Sequence, residues 1–316
     1  MKIDTSKLGY RAKFSFQFFL PQYWLIWFGY WIIIVLAYMP RCIRDFFAFV
    51  LYKLSAKKLK APRRRSFINL TQCFPELSDK QKNKIIDNMC LVAFKSILGV
   101  GQIKFRRIKT LVKKAEIYGL ENFTDAIDQN KNIVLFVPHS WNVDMGGVII
   151  NEIAYRKNRD ICAMYRPQKN PLVNYLWTRL RTSRRGNAHP RQEGLKSFLN
   201  KIRKGYIGYY LPDQDFGPGS GEYASFFNTT KQTLSSLNVV ARLGKCEIIP
   251  LFNKYDLKTK KYIIEIHKPL KISEDNLEMA TLMNQEIESF IKDSPEQYTW
   301  FLELLKTRQD GKNIYK

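Results

Sequence analysis

The chain has 316 residues, which is enough for one large domain with a sizeable core and an accessory segment. Lysine and arginine number 52 against 28 aspartates and glutamates, giving a net charge of +24 at pH 7. This excess indicates polyanionic surroundings: nucleic acid, an anionic membrane face or an acidic partner. The five cysteines are scattered without a Cys-x-x-Cys pair, which argues against a disulfide framework or zinc site and favours a reducing compartment.

A long uncharged segment lies near the N-terminus, between Phe14 and Met39. A helix over residues 22–39 would be about 27 Å long, enough to cross or deeply enter a bilayer. The segment lacks the small-residue cleavage site of a signal peptide, and a buried core helix is the structural alternative. We therefore expect residues 1–40 to form a membrane anchor.

A basic amphipathic helix is expected directly after this anchor, within residues 41–65. Its apolar face comprises Ile43, Phe46, Phe47, Val50, Leu51 and Leu54, and its cations are Arg41, Arg44, Lys53, Lys57 and Lys58. Such a helix suggests a collar on an anionic membrane face. The cations after the anchor place the main domain in the cytoplasm. Because Lys2, Lys7, Arg11 and Lys13 precede the anchor, a helix that inserts without spanning is an alternative.

The remaining residues, 66–316, alternate between predicted helices and strands. A capping box of Ser78 and Gln81 starts one helix, which Gly99 ends. Strands are predicted over residues 133–137, 160–165, 206–211, 248–251 and 262–266, and helices over 119–126, 144–154, 175–181, 194–204, 233–243 and 277–292. This alternation is typical of an α/β domain with a central, mostly parallel or mixed sheet flanked by helices.

The first of these strands leads directly to a histidine and a carboxylate. His139 follows Pro138, and Asp144 comes five residues after the histidine. Five residues of regular helix would leave the two side chains roughly 140° apart, so they meet only if a turn separates them and Asp144 begins a helix. There Asp144 could accept a hydrogen bond from one imidazole nitrogen and leave the other free. We hypothesise that His139 is a general base and Asp144 its orienting partner.

Polar residues also follow two other predicted strands. Arg166 follows the second strand, and the sequence Asp213-Gln-Asp215 follows the third. The carboxyl ends of neighbouring strands in an open α/β sheet converge on one crevice, so these residues are expected near His139. The expected convergence is stronger evidence for a functional site at His139 than the His-x4-Asp spacing alone.

Several longer stretches resemble one family. They are Asn69-Leu-x-x-Cys-Phe-Pro-Glu76, Val137-Pro-His-Ser-Trp-x-x-Asp144, Gly205-Tyr-x-Gly-Tyr-Tyr-Leu-Pro-Asp-Gln-Asp215, Gly217-Pro218, Phe226-Phe227, Pro250-Leu-Phe252 and Pro295-Glu-Gln-Tyr-Thr-Trp300. The chain resembles the late acyltransferases of bacterial lipid A biosynthesis, within the glycerolipid acyltransferase superfamily. It most resembles their myristoyltransferase branch, since the lauroyl branch typically carries Glu where Asp144 stands. Asn228 departs from the glycine expected after the paired phenylalanines.

The resemblance implies a reaction that needs no metal or redox cofactor. His139 would deprotonate the 3-hydroxyl of a hydroxyacyl chain on a lipid A precursor, and that oxygen would attack the thioester of a lauroyl or myristoyl group on acyl carrier protein. The implied partners are this donor, the lipid A acceptor and anionic inner-membrane lipid, but no nucleic acid. The catalytic domain, residues 66–316, would lie on the cytoplasmic side of the bacterial inner membrane.

Other residues are candidates for substrate binding. Arg166 would bind phosphate or hold the oxyanion, since its forked donors suit either. Asp213 and Asp215 could orient Arg166 or substrate hydroxyls, or could only cap their loop. Asn142 would cap the turn or donate to the tetrahedral intermediate.

Three further candidates have equally plain structural alternatives. Arg191 lies in a cationic stretch with Arg181, Arg184 and Arg185, which suits lipid A phosphates or acidic acyl carrier protein, but also a solvated basic face. Phe226 and Phe227 are candidates for an acyl-chain groove, although aromatic pairs commonly form plain core. His189 and His267 have no carboxylate five residues on and are expected to be structural or surface residues.

Two other functions fit part of the sequence. An acyltransferase for a glycerol-phosphate acceptor would use the same His-x4-Asp pair, but would be expected to show a Glu-Gly-x-x-Ser-like block where this chain has Asp213-Gln-Asp215. A non-enzymatic, membrane-anchored protein that binds a polyanion would explain the charge and the collar. It would leave the polar strand ends unexplained, and no nucleic-acid motif is present.

Overall fold

Helices and strands alternate along most of the chain, of which a computed structural model describes residues 13–316. The strands are β1 (Ala115–Tyr118), β2 (Asn132–Phe136), β3 (Ile161–Tyr165), β4 (Asn187–Pro190), β5 (Ile207–Tyr210), β6 (Glu222–Phe226), β7 (Thr229–Thr233), β8 (Cys246–Tyr255) and β9 (Tyr262–Ile266). The helices are α1 (Trp24–Tyr38), α2 (Arg41–Ser55), α3 (Lys60–Cys73), α4 (Asp79–Gly99), α5 (Gln102–Phe105), α6 (Ile108–Lys113), α7 (Leu120–Asp128), α8 (Val143–Arg156), α9 (Pro171–Arg181), α10 (Gly194–Arg203), α11 (Ser236–Gly244) and α12 (Asn276–Asp293).

A mixed sheet with the strand order β1-β9-β8-β2-β5-β3-β4 organises the domain. Neighbouring strands run parallel except β8 and β9, which are antiparallel. The predicted α/β class, with a mostly parallel central sheet flanked by helices, is therefore confirmed. Since β2, β5 and β3 are adjacent and parallel, their carboxyl ends lie side by side.

Strand β2 is buried on both faces, as its unbroken apolar run predicts. Val134 and Phe136 point into one core, and Ile133 and Leu135 point into the other. The first core includes Phe198, Leu237 and Met283 from α10, α11 and α12, and the second includes Phe123 and Ile149 from α7 and α8. Each fully buried side chain of this size contributes about 1.5–3 kcal/mol, so the strand that delivers His139 is firmly held.

Strands β6 and β7 form a separate antiparallel hairpin that the sequence did not predict. A helix was expected from residue 233, but Thr233 ends β7 and α11 begins at Ser236. The reason is that β7 buries polar side chains, among them Lys231 and Gln232, so it lacks the apolar alternation of a half-buried strand. The short strands β1 and β4 were also missed.

Helix α1 lies where the membrane anchor was predicted, with one side against α5. A side chain on Gly101 would lie 2.5 Å from the carbonyl oxygen of Ile33, so the glycine allows this close approach. The other side exposes the apolar residues Trp24, Leu25, Phe28, Trp31 and Val35. Two stretches, Pro21–Tyr38 and Asp79–Phe105, are long and apolar enough to cross a membrane, judged by length and composition alone.

Helix α2 exposes the apolar face predicted for the collar. Ile43, Phe46, Phe47, Leu51 and Leu54 are all exposed. The helix packs against α4 through a polar side that includes Arg44 and Asp45, both buried. The prediction that Arg44 flanks the collar as a surface cation is therefore wrong.

The boundaries proposed around the collar remain predictions. Helix α3 runs across the proposed limit at residue 65. Lys2, Lys7 and Arg11, on which the orientation argument partly depends, lie outside the described residues.

Candidate active site

His139 lies just beyond the carboxyl end of β2, as the apolar run followed by proline predicts. Its side chain is 26% exposed. Helix α8 begins at Val143, so Asp144 occupies the first helical turn, where a carboxylate is stabilised by the helix N-terminus. The predicted strand, turn and helix are therefore confirmed.

The carboxylate that binds His139 is Asp213, not Asp144. Asp213 Oδ1 hydrogen-bonds His139 Nδ1, and Asp213 Oδ2 accepts the His139 backbone N–H at 2.8 Å. Asp213 follows β5, which lies directly beside β2, so strand adjacency brings the two residues together. The expected hydrogen bond between Asp144 and the imidazole is corrected accordingly.

Asp213 is fully buried and is held by further residues. The hydroxyl of Tyr298 donates a hydrogen bond to Asp213 Oδ2 at 3.1 Å. Lys231 Nζ donates one to the backbone carbonyl of Asp213 at 2.7 Å. Burial by itself would raise the pKa of Asp213, but the charge and hydrogen bonds of His139, with the charge of Lys231, lower that pKa below its usual value. Asp213 is therefore an ionised acceptor at neutral pH.

The ionised Asp213 determines the tautomer of the imidazole. A carboxylate at Nδ1 requires a proton on Nδ1, so in the neutral imidazole Nε2 has a free lone pair. The amide Nε2 of Gln214 lies 3.2 Å from His139 Nε2 and can donate to it. His139 is thus arranged as a base that an incoming hydroxyl could engage in place of Gln214.

Asp144 pairs with Arg181, at the end of α9. Arg181 Nε lies 2.8 Å from Asp144 Oδ1, and its Nη2 lies 3.0 Å from Oδ2, which is a bidentate arrangement. The two side chains are 25% and 30% exposed, so the pair remains accessible. Arg181 also lies over the ring of Trp177 at 5.4 Å, which helps to fix its position.

A cavity of about 480 Å³ opens above the carboxyl ends of β2, β3 and β5. His139 and Asp144 both line it. Among the described residues, its charged lining comprises Arg166, Arg181, Arg184 and Arg191 against the single carboxylate Asp144. Apolar walls of Met164, Leu211 and Leu234 complete it. The cavity therefore suits an anionic ligand with apolar parts.

Arg166 and Arg191, two of the predicted binding residues, belong to this cavity. Both are exposed at its lining, and the guanidinium of Arg191 stacks over the ring of Phe216 at 4.0 Å. Polar residues after β3 and after β5, Arg166 and Gln214, thus line the same cavity as His139, as the sequence predicts.

Asn142 and Asp215 have structural contacts instead. Asn142 occupies the position before α8, but its side chain makes no capping hydrogen bond and accepts one from the hydroxyl of Ser96 at 3.0 Å. Asp215 accepts the backbone N–H of Thr307 at 2.6 Å and its hydroxyl at 2.8 Å, so it fastens the C-terminal segment. Neither residue lines the cavity.

Phe226 and Phe227 also lie away from the cavity. Phe226 is fully buried in the core beneath the hairpin. Phe227 packs on Phe74 with ring centroids 4.5 Å apart and has a φ of +50° at the hairpin turn, where Asn228 follows it. The expectation that the pair lines an acyl-chain groove is not met in this cavity.

The sequence did not identify four residues that shape the site. Gln214 and Tyr298 lie within stretches quoted for the family resemblance, which was the available signal for them. Arg181 was noted only as part of a cationic stretch. Lys231 gave no signal, because a lysine in a polar strand is ordinarily expected on the surface. Among residues 13–316, no group of three or more His, Cys, Asp or Glu side chains could hold a metal ion.

Comparison with known proteins agrees with the motifs. The profile of the bacterial lipid A biosynthesis acyltransferase family matches residues 11–307. The chain is 42% identical over 311 residues to a lipid A biosynthesis acyltransferase of Haemophilus influenzae, covering 98% of this chain and 96% of the relative. It is 34% identical over 313 residues to the lipid A biosynthesis myristoyltransferase of Escherichia coli, covering 98% and 96%. Identity to the lauroyltransferase of the same organism is 26% over 307 residues, covering 95% and 97%.

Proposed function

Because the chain belongs to the bacterial lipid A biosynthesis acyltransferase family, we propose that it transfers a lauroyl or myristoyl group from acyl carrier protein to a hydroxyl on a lipid A precursor. The acceptor hydroxyl is that of a 3-hydroxyacyl chain, and His139 is the general base. The observation that carries this proposal is an imidazole that is held by the buried Asp213 and lines a cavity with four arginines.

The reaction conserves atoms and protons through His139. Nε2 takes the proton of the acceptor hydroxyl while its oxygen attacks the thioester carbonyl. The tetrahedral intermediate collapses as the carbon–sulfur bond breaks, which leaves a new ester and a thiolate. The imidazolium then returns its proton to the thiolate, so His139 ends the cycle neutral.

Asp213 acts in this proposal as the orienting residue of His139. It holds Nδ1 protonated and stabilises the imidazolium that forms during transfer, as buried carboxylates do in Ser-His-Asp sites. Tyr298 supports Asp213 by donating to its carboxylate, and Lys231 supports it by donating to its backbone carbonyl. The imidazole is therefore held on its Nδ1 side, and Nε2 is left to contact the substrate.

Asp144 retains a catalytic role in the proposal, but a different one from that first expected. Its carboxylate faces the cavity and fixes Arg181 in a bidentate pair. The pair would orient the acceptor hydroxyl towards His139. Arg166 and Arg191 would bind phosphates of the acceptor or acidic groups of the carrier protein, since their forked donors fit such anions.

The proposed place of action is the cytoplasmic face of the bacterial inner membrane. The exposed apolar sides of α1 and α2 support membrane attachment, and the net charge of +24 supports contact with anionic lipid. An enzyme placed there would meet both a membrane-bound acceptor and a soluble acyl carrier protein.

The test compares purified wild-type protein with the His139→Ala variant, using myristoyl-acyl carrier protein and a lipid A precursor. We expect about a 10²–10⁴-fold lower transfer rate for the variant, which is the usual contribution of a general base. The matched control is His267→Ala, which removes a half-exposed histidine that pairs with Glu286. Equal transfer by wild type and His139→Ala would overturn the mechanism, and transfer only to glycerol 3-phosphate would overturn the acceptor.

A further inference from the structure

A group of four cations lies at the corner where α1 meets α2. Arg41 and Arg44 belong to the first turn of α2, Arg106 follows α5, and Lys114 follows α6. Within residues 13–316, none of the four forms an ion pair with a carboxylate. We call this group the elbow cluster.

Arg44 forms the floor of the elbow cluster and is only 2% exposed. Its Nε and Nη1 atoms have no hydrogen-bond partner among the described residues. The neighbouring Asp45 is engaged elsewhere, since its Oδ2 accepts from Lys95 Nζ and from the hydroxyl of Tyr255, each at 3.2 Å. A buried guanidinium without a counter-charge is unfavourable, so the site favours an added anion.

The four cations act on one another electrostatically. Burial and the charges of Arg41, Arg106 and Arg44 lower the pKa of Lys114 below its usual value, and no carboxylate opposes them. Aromatic rings locate two of the guanidinium groups: Arg41 lies 6.0 Å from the rings of Tyr255 and Tyr262, and Arg106 lies 6.0 Å from Tyr38. The positive charge is therefore concentrated at this corner, and Asp45, the carboxylate that acts on Tyr262 together with Arg41 and Arg44, is already paired with Lys95.

The elbow cluster lies between two exposed apolar faces. Val35 and Tyr38 end the exposed side of α1, and Ile43 and Phe46 begin that of α2. An anion bound at the cluster would thus have apolar surface on both sides. A free inorganic anion would leave that surface unused, whereas a phosphate that carries acyl chains would cover it.

We propose that the elbow cluster binds the phosphate of an anionic phospholipid headgroup, with the acyl chains lying along α1 and α2. Arginine forks recognise phosphate oxygens in bidentate fashion, and a lipid headgroup at this depth would supply the counter-charge that Arg44 lacks. The bound lipid is a fixed structural ligand that sets the height of the domain on the membrane. The lipid is neither donor nor acceptor in the acyl transfer, and its binding at the elbow cluster does not depend on that reaction.

The test uses native mass spectrometry of the full chain released from nanodiscs of equal parts phosphatidylcholine and phosphatidylglycerol, with inorganic phosphate added. The variant Arg41→Gln/Arg106→Gln removes two cations at the rim and leaves the buried Arg44 in place. We expect the wild type to retain one phosphatidylglycerol molecule, and the variant to retain about 10-fold less, since each cation near an anionic lipid contributes measurably to binding.

The matched control is Lys268→Gln/Lys271→Gln, which removes two exposed cations from the segment after β9 that form no ion pair among the described residues. The control is expected to retain the lipid as the wild type does. Thermal melting checks that the Arg41→Gln/Arg106→Gln variant is folded, and Arg41→Lys/Arg106→Lys is expected to recover part of the binding. Equal phosphatidylglycerol retention by variant and control would overturn the site, and retention of inorganic phosphate instead of lipid would overturn the assignment to a headgroup.

Discussion

Two aspartates near His139 differ in nearly every physical respect. Asp144 is five residues away along the chain, one-quarter exposed at the cavity and paired with Arg181. Asp213 is 74 residues away, fully buried and bonded to both the ring and the backbone of His139. The distant residue is the orienting partner because β5 lies directly beside β2. Strand order, more than sequence spacing, therefore determines which carboxylate reaches a strand-end histidine.

The two aspartates also differ in how they are supported. Asp213 has hydrogen bonds from His139 and Tyr298, and its backbone carbonyl is held by Lys231. A carboxylate can remain ionised in a buried site only with such compensation. Asp144 depends on one bidentate partner and on solvent. A buried, fully bonded carboxylate is suited to fixing a base, and an accessible one is suited to contacting substrate.

The largest effect is expected for Asp213→Asn. The amide removes the negative charge and disfavours the Nδ1-protonated tautomer, so transfer should fall by about 10³–10⁴-fold. The measurement is the steady-state rate with saturating myristoyl-acyl carrier protein, with circular dichroism to confirm the fold. A smaller loss for Asp213→Asn than for Asp144→Asn would reverse the comparison.

Asp144→Asn is expected to lower the rate by about 10–100-fold, the range for losing a hydrogen bond to a charged group. Arg181→Gln should have a similar effect, because either change breaks the same pair. The double variant should be no slower than the slower single variant, since residues of one pair are not additive. Multiplicative losses would show that the two side chains act separately.

Lys231→Met tests the support beneath Asp213. The change leaves the Asp213 carbonyl without its buried donor, at a cost of about 1–3 kcal/mol in stability. A drop in kcat of about 10-fold is expected together with a lower melting temperature. The matched control is Lys254→Met, because Lys254 is another buried lysine but pairs with Glu265. The control should lose stability and keep its rate, so an equal loss of rate in both variants would count against a positioning role.

The smallest effect concerns stability in acid. Because the pKa of Asp213 is lowered in the folded protein, the unfolded state binds the proton first as the pH falls. The contribution of this carboxylate is complete above about pH 4 and is lost as the pH falls through the folded-state value. Denaturant melts should therefore show wild type and Asp213→Asn converging in stability below pH 4. A difference that stays constant down to pH 2 would contradict the lowered pKa.

Much of the fold could be predicted from the sequence, because local patterns determine it. The apolar run predicted β2, and the capping box of Ser78 predicted the start of α4. Both ends of β9 were predicted to the residue. The hairpin of β6 and β7 was missed, since the inward residues of β7 are polar and satisfied by tertiary contacts. Such tertiary contacts cannot be recognised from the local sequence pattern.

The candidate site could be predicted only in part. His139 and its position at a strand end follow from local sequence, and Arg166 follows in the same way. The partner of His139 could not be derived, because turn geometry allowed contact with Asp144 and only strand order favours Asp213. Lys231 was hidden for a related reason: its burial depends on the hairpin and on the loop that follows β5.

The most direct test of the account is nitrogen NMR of the imidazole of His139. The chain has only three histidines, so selective ¹⁵N-histidine labelling gives few signals, and His139→Ala identifies the relevant one. We predict that the neutral imidazole of His139 carries its proton on Nδ1 and a free lone pair on Nε2. This state should persist in Asp144→Asn and be lost in Asp213→Asn. A tautomer that changes with Asp144 and not with Asp213 would contradict the account.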